Sequence, residues 1–265
     1  MKTLLKRVAL GLGALLILAG LALGVLVWRV RAPEPTQVSP GPEADSLARN
    51  VQRAMAFDRW QQLEAVAWTF RDRHTHLWDK RRNLARVRWG DHEVLVDLGN
   101  RRGVAFRHGQ RVEGPAGQGL VDEAYSKWTN DSFWLYPFRT FFHQGVTRAT
   151  AVDHTGRPGL QIQYGSGGVT PGDKYLWTVD ADGRPQAWRM WVSIIPVGGL
   201  QTTWAGWETH GGVPFSTLHE GVFDLKVTVQ GAGSLAEVAP GPDPFAQIAS
   251  GPPAAAPAPT SQPTP

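Results

Sequence analysis

The stretch WTNDSFWLYPFRTFFHQGV, residues 128–146, decides how the chain is read. It sets Trp128, Phe133, Trp134, Tyr136, Phe138, Phe141 and Phe142 within fifteen positions, with Pro137 among them. A soluble helix carries so much aromatic surface only where it lies over something apolar, and a sheet accepts that proline only at an edge. Alternating, β-type sequence flanks the stretch on both sides. It therefore reads as an aromatic lid inserted into a sheet. Val121, Ala124, Tyr125 and Trp128 fall at helical spacing, Thr129 to Ser132 can break and recap the helix, and Pro137 can open a second short one.

Working outward, the period is two. Val66, Trp68 and Phe70 alternate with smaller or more polar neighbours, as do Ala85, Val87 and Trp89 before a Gly90-Asp91 turn. Val94, Val96 and Leu98 lead to a turn at Asn100 to Gly103, and a strand from Val104 ends near His108-Gly109. After the lid come Leu160, Ile162 and Tyr164. A hairpin then pairs Tyr175–Val179 with Gln186–Val192 through Asp180-Ala181-Asp182-Gly183. Two further strands are expected around Thr202–Glu208 and Phe223–Val229. Before all of these, Leu47, Val51, Ala54 and Met55 mark one face of a helix over about 44–56.

The expected fold is mainly β (α+β). It is a curved antiparallel sheet or open half-barrel of roughly ten strands, with an N-terminal helix and the inserted aromatic helical lid.

Both ends of the chain read differently. Val8 to Trp28 is an unbroken run of 21 apolar or glycine residues. At about 1.5 Å per residue a helix of that length spans roughly 30 Å, the thickness of a bilayer's hydrocarbon core. A cleavable signal would end in polar surroundings, but Val25-Leu26-Val27-Trp28 follows the small-residue stretch at Gly24, which favours an uncleaved anchor. The expected divisions are a transmembrane anchor over 1–31, a Pro-rich linker over 32–43, a β domain over 44–235 and a disordered Pro/Ala-rich tail over 236–265. The predicted location is the inner membrane, single-pass, with the folded domain in the periplasm.

The net charge of +4 comes from that anchor. Without Lys2, Lys6, Arg7, Arg29 and Arg31, the 27 basic residues fall to 22 against 23 acidic ones. A nucleic-acid surface needs a basic excess on the domain itself, so no nucleic acid is expected. The absence of cysteine excludes disulfides, thiolate metal sites, cysteine catalysis and a lipobox.

Few residues suggest chemistry. His74 and His76 share one strand face and could begin a metal site, with His210, His219 or Glu208 as a third ligand. The alternative, a polar face beside Asp72 and Arg73, is preferred. No metal, cofactor or catalytic residue is expected. Asp180-x-Asp182-Gly183 resembles the opening of a calcium loop but lacks the closing glutamate. Gly165-Ser166-Gly167-Gly168 fits neither a nucleophile elbow nor a phosphate loop. Asp122 and Glu123 point about 100° apart on a helix, so they do not form an acid/base pair. For the seven lid aromatics, core filling and ligand lining both stand.

Two motifs carry a resemblance, W-x-N-D-x-F-W-L-x-x-P beginning at Trp128 and D-x-Y-x-W-x-x-D beginning at Asp173. Over about residues 45–230 the chain resembles the LolA/LolB-like (lipoprotein-localisation-factor-like) bacterial envelope proteins, and uncharacterised members among them most of all. It departs from them at His143-Gln144-Gly145-Val146, where an Asp-Pro pair is expected before Gly-Val, and in carrying a membrane anchor. The resemblance implies a non-enzymatic protein binding a lipid or acyl chain in a half-barrel. An adaptor that grips another envelope protein, and a metal-dependent hydrolase using His74 and His76, are the alternative readings.

Overall fold

The computed structural model describes residues 20, 24, 25, 27, 30–165 and 171–248. Most of the predicted anchor, the Ser166–Gly168 loop and residues 249–265 lie outside these. Among the described residues no helix is long and apolar enough to cross a membrane.

The described chain is mainly β, in two antiparallel sheets, neither closed into a barrel. Among the described residues the strands number fifteen, against roughly ten expected. They divide between two packing units.

The first unit holds the six-stranded sheet β1-β8-β9-β10-β11-β12. Its strands are β1 (Gln37–Pro40), β8 (Val146–Val152), β9 (Pro158–Tyr164), β10 (Lys174–Val179), β11 (Pro185–Trp191) and β12 (Leu200–Thr203). Helix α1 (Pro42–Ala54) buries Ala44, Ala48 and Val51, small residues that let it approach β8 and β9 closely. Leu47, expected on that face, is only half-buried. The β10–β11 hairpin forms as its turn chemistry requires. Asp180 Oδ1 accepts from the amides of Asp182 (3.0 Å) and Arg184 (2.9 Å), and Gly183 takes a φ of 85° that only glycine adopts freely. The core of this unit is aromatic. Trp177, Trp188 and Trp204 pack with ring centroids 4.8–5.1 Å apart.

The expected linker is largely part of this unit. β1 pairs with β8 over Gln37–Pro40, and Lys174 makes an ion pair with Glu34 at 2.5 Å. Ala32 is buried, its amide donating to Gly198 O (3.1 Å) and its carbonyl accepting from Trp191 Nε1 (3.0 Å). A proline-rich composition suggested a spacer, but proline is tolerated on an edge strand, and β1 is one.

The second unit holds the nine-stranded sheet β13-β14-β15-β2-β3-β4-β5-β6-β7. It comprises β2 (Ala65–Phe70), β3 (His74–Asp79), β4 (Leu84–Trp89), β5 (His92–Asp97), β6 (Arg102–Arg107), β7 (Gln110–Val112), β13 (Ala205–His210), β14 (Val213–His219) and β15 (Leu225–Gly233). From β2 to β7 consecutive strands pair as a meander. The turns fall near the predicted positions, at Gly90-Asp91, Leu98–Arg101 and His108-Gly109. The single strand expected around Thr202–Glu208 is two, β12 and β13, which belong to different sheets and are separated by buried Trp204.

Two helices cover this sheet. Short α2 (Phe57–Gln62) buries Trp60, and α3 (Gly114–Leu135) lies over β4, β5 and β6. The apolar stripe of α3 is Gly117, Leu120, Val121, Ala124, Trp128, Ser132 and Leu135, spaced three and four apart. The break expected at Thr129–Ser132 does not occur. Thr129 and Ser132 turn their hydroxyls back to helix carbonyls of Tyr125 and Thr129, and the helix runs through to Leu135. Pro137 then opens a 3-10 turn, Pro137–Thr140, as expected.

The tail boundary is also corrected. Ser234 and Glu237 form a reciprocal capping box at the start of α4 (Leu235–Val238). Beyond it Phe245 is fully buried against Leu77, Leu84 and Leu95, flanked by Leu235, Val238 and Ile248. The fold thus continues to Ile248. Composition concealed this, because one phenylalanine within a Pro/Ala/Gly background creates no periodic pattern.

Candidate functional site

The seven lid aromatics do not form one surface. Trp128, Phe133, Trp134, Tyr136 and Phe138 belong to the second unit, Phe141 and Phe142 to the first.

Four of them are core. Trp128, 7% exposed, meets Trp78 edge-on at 5.0 Å. Tyr136 stacks on Trp60 at 4.1 Å, and its hydroxyl donates to Met55 O at 2.7 Å. Burial first, and the charge of Asp58 second, raise this phenol well above its ordinary pKa. Phe138 is fully buried with its ring edge-on to Tyr136 at 5.2 Å. Phe141 is likewise sealed, against Trp177 at 5.9 Å.

The remaining three are half-buried. Phe142 is covered by two guanidinium groups, Arg49 at 4.6 Å and Arg148 at 4.4 Å from its ring centre. Phe133 and Trp134 sit on α3 but off its buried stripe. At about 100° per residue they project away from the direction of Trp128 and Leu135.

The helix and the sheet also bring together a polar cluster. On β3, His74, His76 and Trp78 lie two apart and so share one sheet face. On α3, Trp128 and Asp131 lie three apart and share one helix face. Trp78 meets Trp128, and this register sets Asp131 over the two imidazoles. Asp131 Oδ2 lies 2.8 Å from His74 Nδ1 and 2.8 Å from His76 Nε2. Its other oxygen accepts from Asn130 Nδ2 at 2.9 Å.

The cluster is enclosed. His76 and Asp131 are each 1% exposed, while the His74 side chain is 23% exposed at the edge. Trp68, the cross-strand partner of His76, stacks on its ring at 4.5 Å, and Phe70 covers His74 at 6.3 Å. Burial lowers the pKa of His76, against the opposing pull of Asp131. Its Nδ1 is buried with no hydrogen-bond partner.

This corrects the preferred reading of the two histidines as a polar surface beside Asp72 and Arg73, which occupy the exposed hairpin turn. The third group is Asp131, which sequence reasoning quoted only as part of a motif. The proposed third ligands have other partners: His210 pairs with Glu208 at 3.3 Å, and His219 packs on Trp204 at 4.5 Å. The missing signal was the facing of β3 and α3. Histidines two apart and a tryptophan–aspartate pair three apart match only once the helix is set over that strand.

Asp122 and Glu123 have separate partners, Gln118 at 3.0 Å and Lys127 at 3.2 Å. A scan against protein-family models finds no match for this chain, and a search of curated proteins finds none either.

Proposed function

We propose that this is a non-enzymatic envelope protein, held in the inner membrane by residues 8–28 with its folded part in the periplasm. There it binds an apolar group, a lipid or an acyl chain. In this reading the nine-stranded sheet with α3 over it is the counterpart of the LolA/LolB-like half-barrel and its lid, as the two motifs suggest. The observation that carries it is that Phe133 and Trp134 are only half-buried on α3, both off its core stripe and about 100° apart around the helix. Trp128, Tyr136, Phe138 and Phe141 are buried, whereas Phe133 and Trp134 keep part of their surface exposed.

A second reading, the adaptor, is favoured by one observation. Phe223 is 74% exposed, with Val222 beside it at 39%. Exposed apolar groups of that size suit a protein partner. The hydrolase reading has less support, because two of the three clustered groups are sealed from any substrate.

The test is binding of a fluorescent fatty acid to the detergent-extracted full-length protein, read by quenching of tryptophan emission. Binding that disappears in the F133A/W134A double variant supports the carrier reading. A folded wild-type protein that binds no probe overturns it in favour of the adaptor. A chain that resists carbonate extraction and keeps its own amino terminus supports the anchor.

A further inference from the structure

From the geometry of His74, His76 and Asp131 we infer a binding site for one divalent transition-metal ion, best matched by zinc, that clasps α3 to β3. Three observations carry this. The donor atoms lie within 4.8 Å of one another. The two nitrogens stand 2.8 Å from one carboxylate oxygen. Ligands about 2.0–2.1 Å from a zinc ion are separated by roughly 2.9 Å in octahedral and 3.3 Å in tetrahedral geometry, so the two nitrogen–oxygen distances open by a few tenths of an ångström while the nitrogen–nitrogen distance, within 4.8 Å, closes toward the same range.

The second observation concerns charge. Asp131 is 1% exposed and is hydrogen-bonded to two histidines and an asparagine, while Lys127 acts on the cluster through its charge at His76. A buried carboxylate needs a countercharge. A dication supplies one.

The third is orientation. Trp68 and Phe70 hold the two imidazoles face-on, nearly perpendicular to each other at 88°. Different nitrogens, Nδ1 of His74 and Nε2 of His76, face the same point. On binding, each of these nitrogens gives its lone pair to the metal and the ring proton resides on the other nitrogen. Asp131 Oδ2 exchanges two accepted hydrogen bonds for one metal bond. The partly exposed edge of His74 is the entry path, and a water from that side completes the shell.

With two ligands sealed in the interior, the site is structural and not catalytic. It pins the C-terminal half of α3, the same helix that presents Phe133 and Trp134, to the sheet. The inference is independent of whether those two residues bind a lipid.

The experiment uses the full-length protein in detergent, stripped with chelator. It is titrated with Zn2+ by calorimetry and with Co2+ by its visible absorption, which reports nitrogen and oxygen ligands. The expected result is one ion per chain and a higher melting temperature with zinc. Asp131→Asn and His74→Gln lose both effects, while His210→Gln keeps them. His74 lies at the edge, so its variant retains a fold whose tryptophan emission can be followed. A wild-type protein that takes up no stoichiometric metal overturns the site. So does unchanged binding in both Asp131→Asn and His74→Gln.

Discussion

Arg82 grips both carboxylate oxygens of Asp243, 161 residues further along the chain, at 2.7 Å each. The same guanidinium reaches Asp79 at 2.5 Å, at the end of β3. Hydrogen bonding from Arg82 holds the Asp243 carboxyl below its ordinary pKa. The planar fork gives this junction a direction as well as a charge. It seats the segment carrying Phe245, whose ring also lies 5.3 Å beneath Arg82.

Phe245→Ala should therefore destabilise the protein by roughly 3–5 kcal/mol, the usual cost of emptying a sealed aromatic site. Urea denaturation of the two proteins measures it. An unchanged midpoint would show that residues past Val238 add nothing to the fold.

Phe138→Ala should cost a similar amount, about 3–5 kcal/mol, because that ring is fully buried. Phe133→Ala, half-buried, should cost much less while weakening fatty-acid binding. Stability and probe affinity measured on both variants separate packing from ligand contact.

Asp153 gives the acid limb of stability a specific cause. Burial pulls its pKa upward. The Thr155 hydroxyl, the Thr155 and Arg157 amides and the Arg189 guanidinium outweigh burial and hold it down to about 2. A depressed carboxyl stabilises the folded state above the unfolded pKa, and that contribution is lost as pH falls through the folded one. Here the window runs from about 4 down to about 2. In Asp153→Asn the stability difference between pH 5 and pH 2 should shrink, as thermal melts at both values would show.

Gly199→Ala should release the chain at Ala32. Gly199 has a φ of 76°, and an added Cβ would stand 2.4 Å from the Ala32 carbonyl oxygen. The expected readout is proteolysis near residues 31–36 that the parent protein resists.

The strands that sequence revealed were those with an unambiguous alternation, such as Val66-x-Trp68-x-Phe70, and those closed by strong turns, such as Asp180–Gly183. Strand β8 was missed because Val146–Val152 is built of alanine, threonine and arginine, with little apolar contrast between its faces. The lid was legible as a helix followed by a proline-led turn. Its seven aromatics were not legible as parts of two separate packings, because sequence proximity cannot show that the chain changes sheets near Thr140. Of the polar cluster, the histidine pair was visible. Asp131 was not, because it meets the histidines only when the helix folds over a strand 55–57 residues earlier in the chain.

Ala32, fastened to Gly198 and Trp191, has a mechanical consequence. Only three residues lie between it and Trp28, a leash of at most about 14 Å even when drawn straight. If Trp28 ends the membrane segment proposed above, the β11–β12 end of the six-stranded sheet stays within that distance of the lipid headgroups. Such a protein cannot ferry cargo across the periplasm.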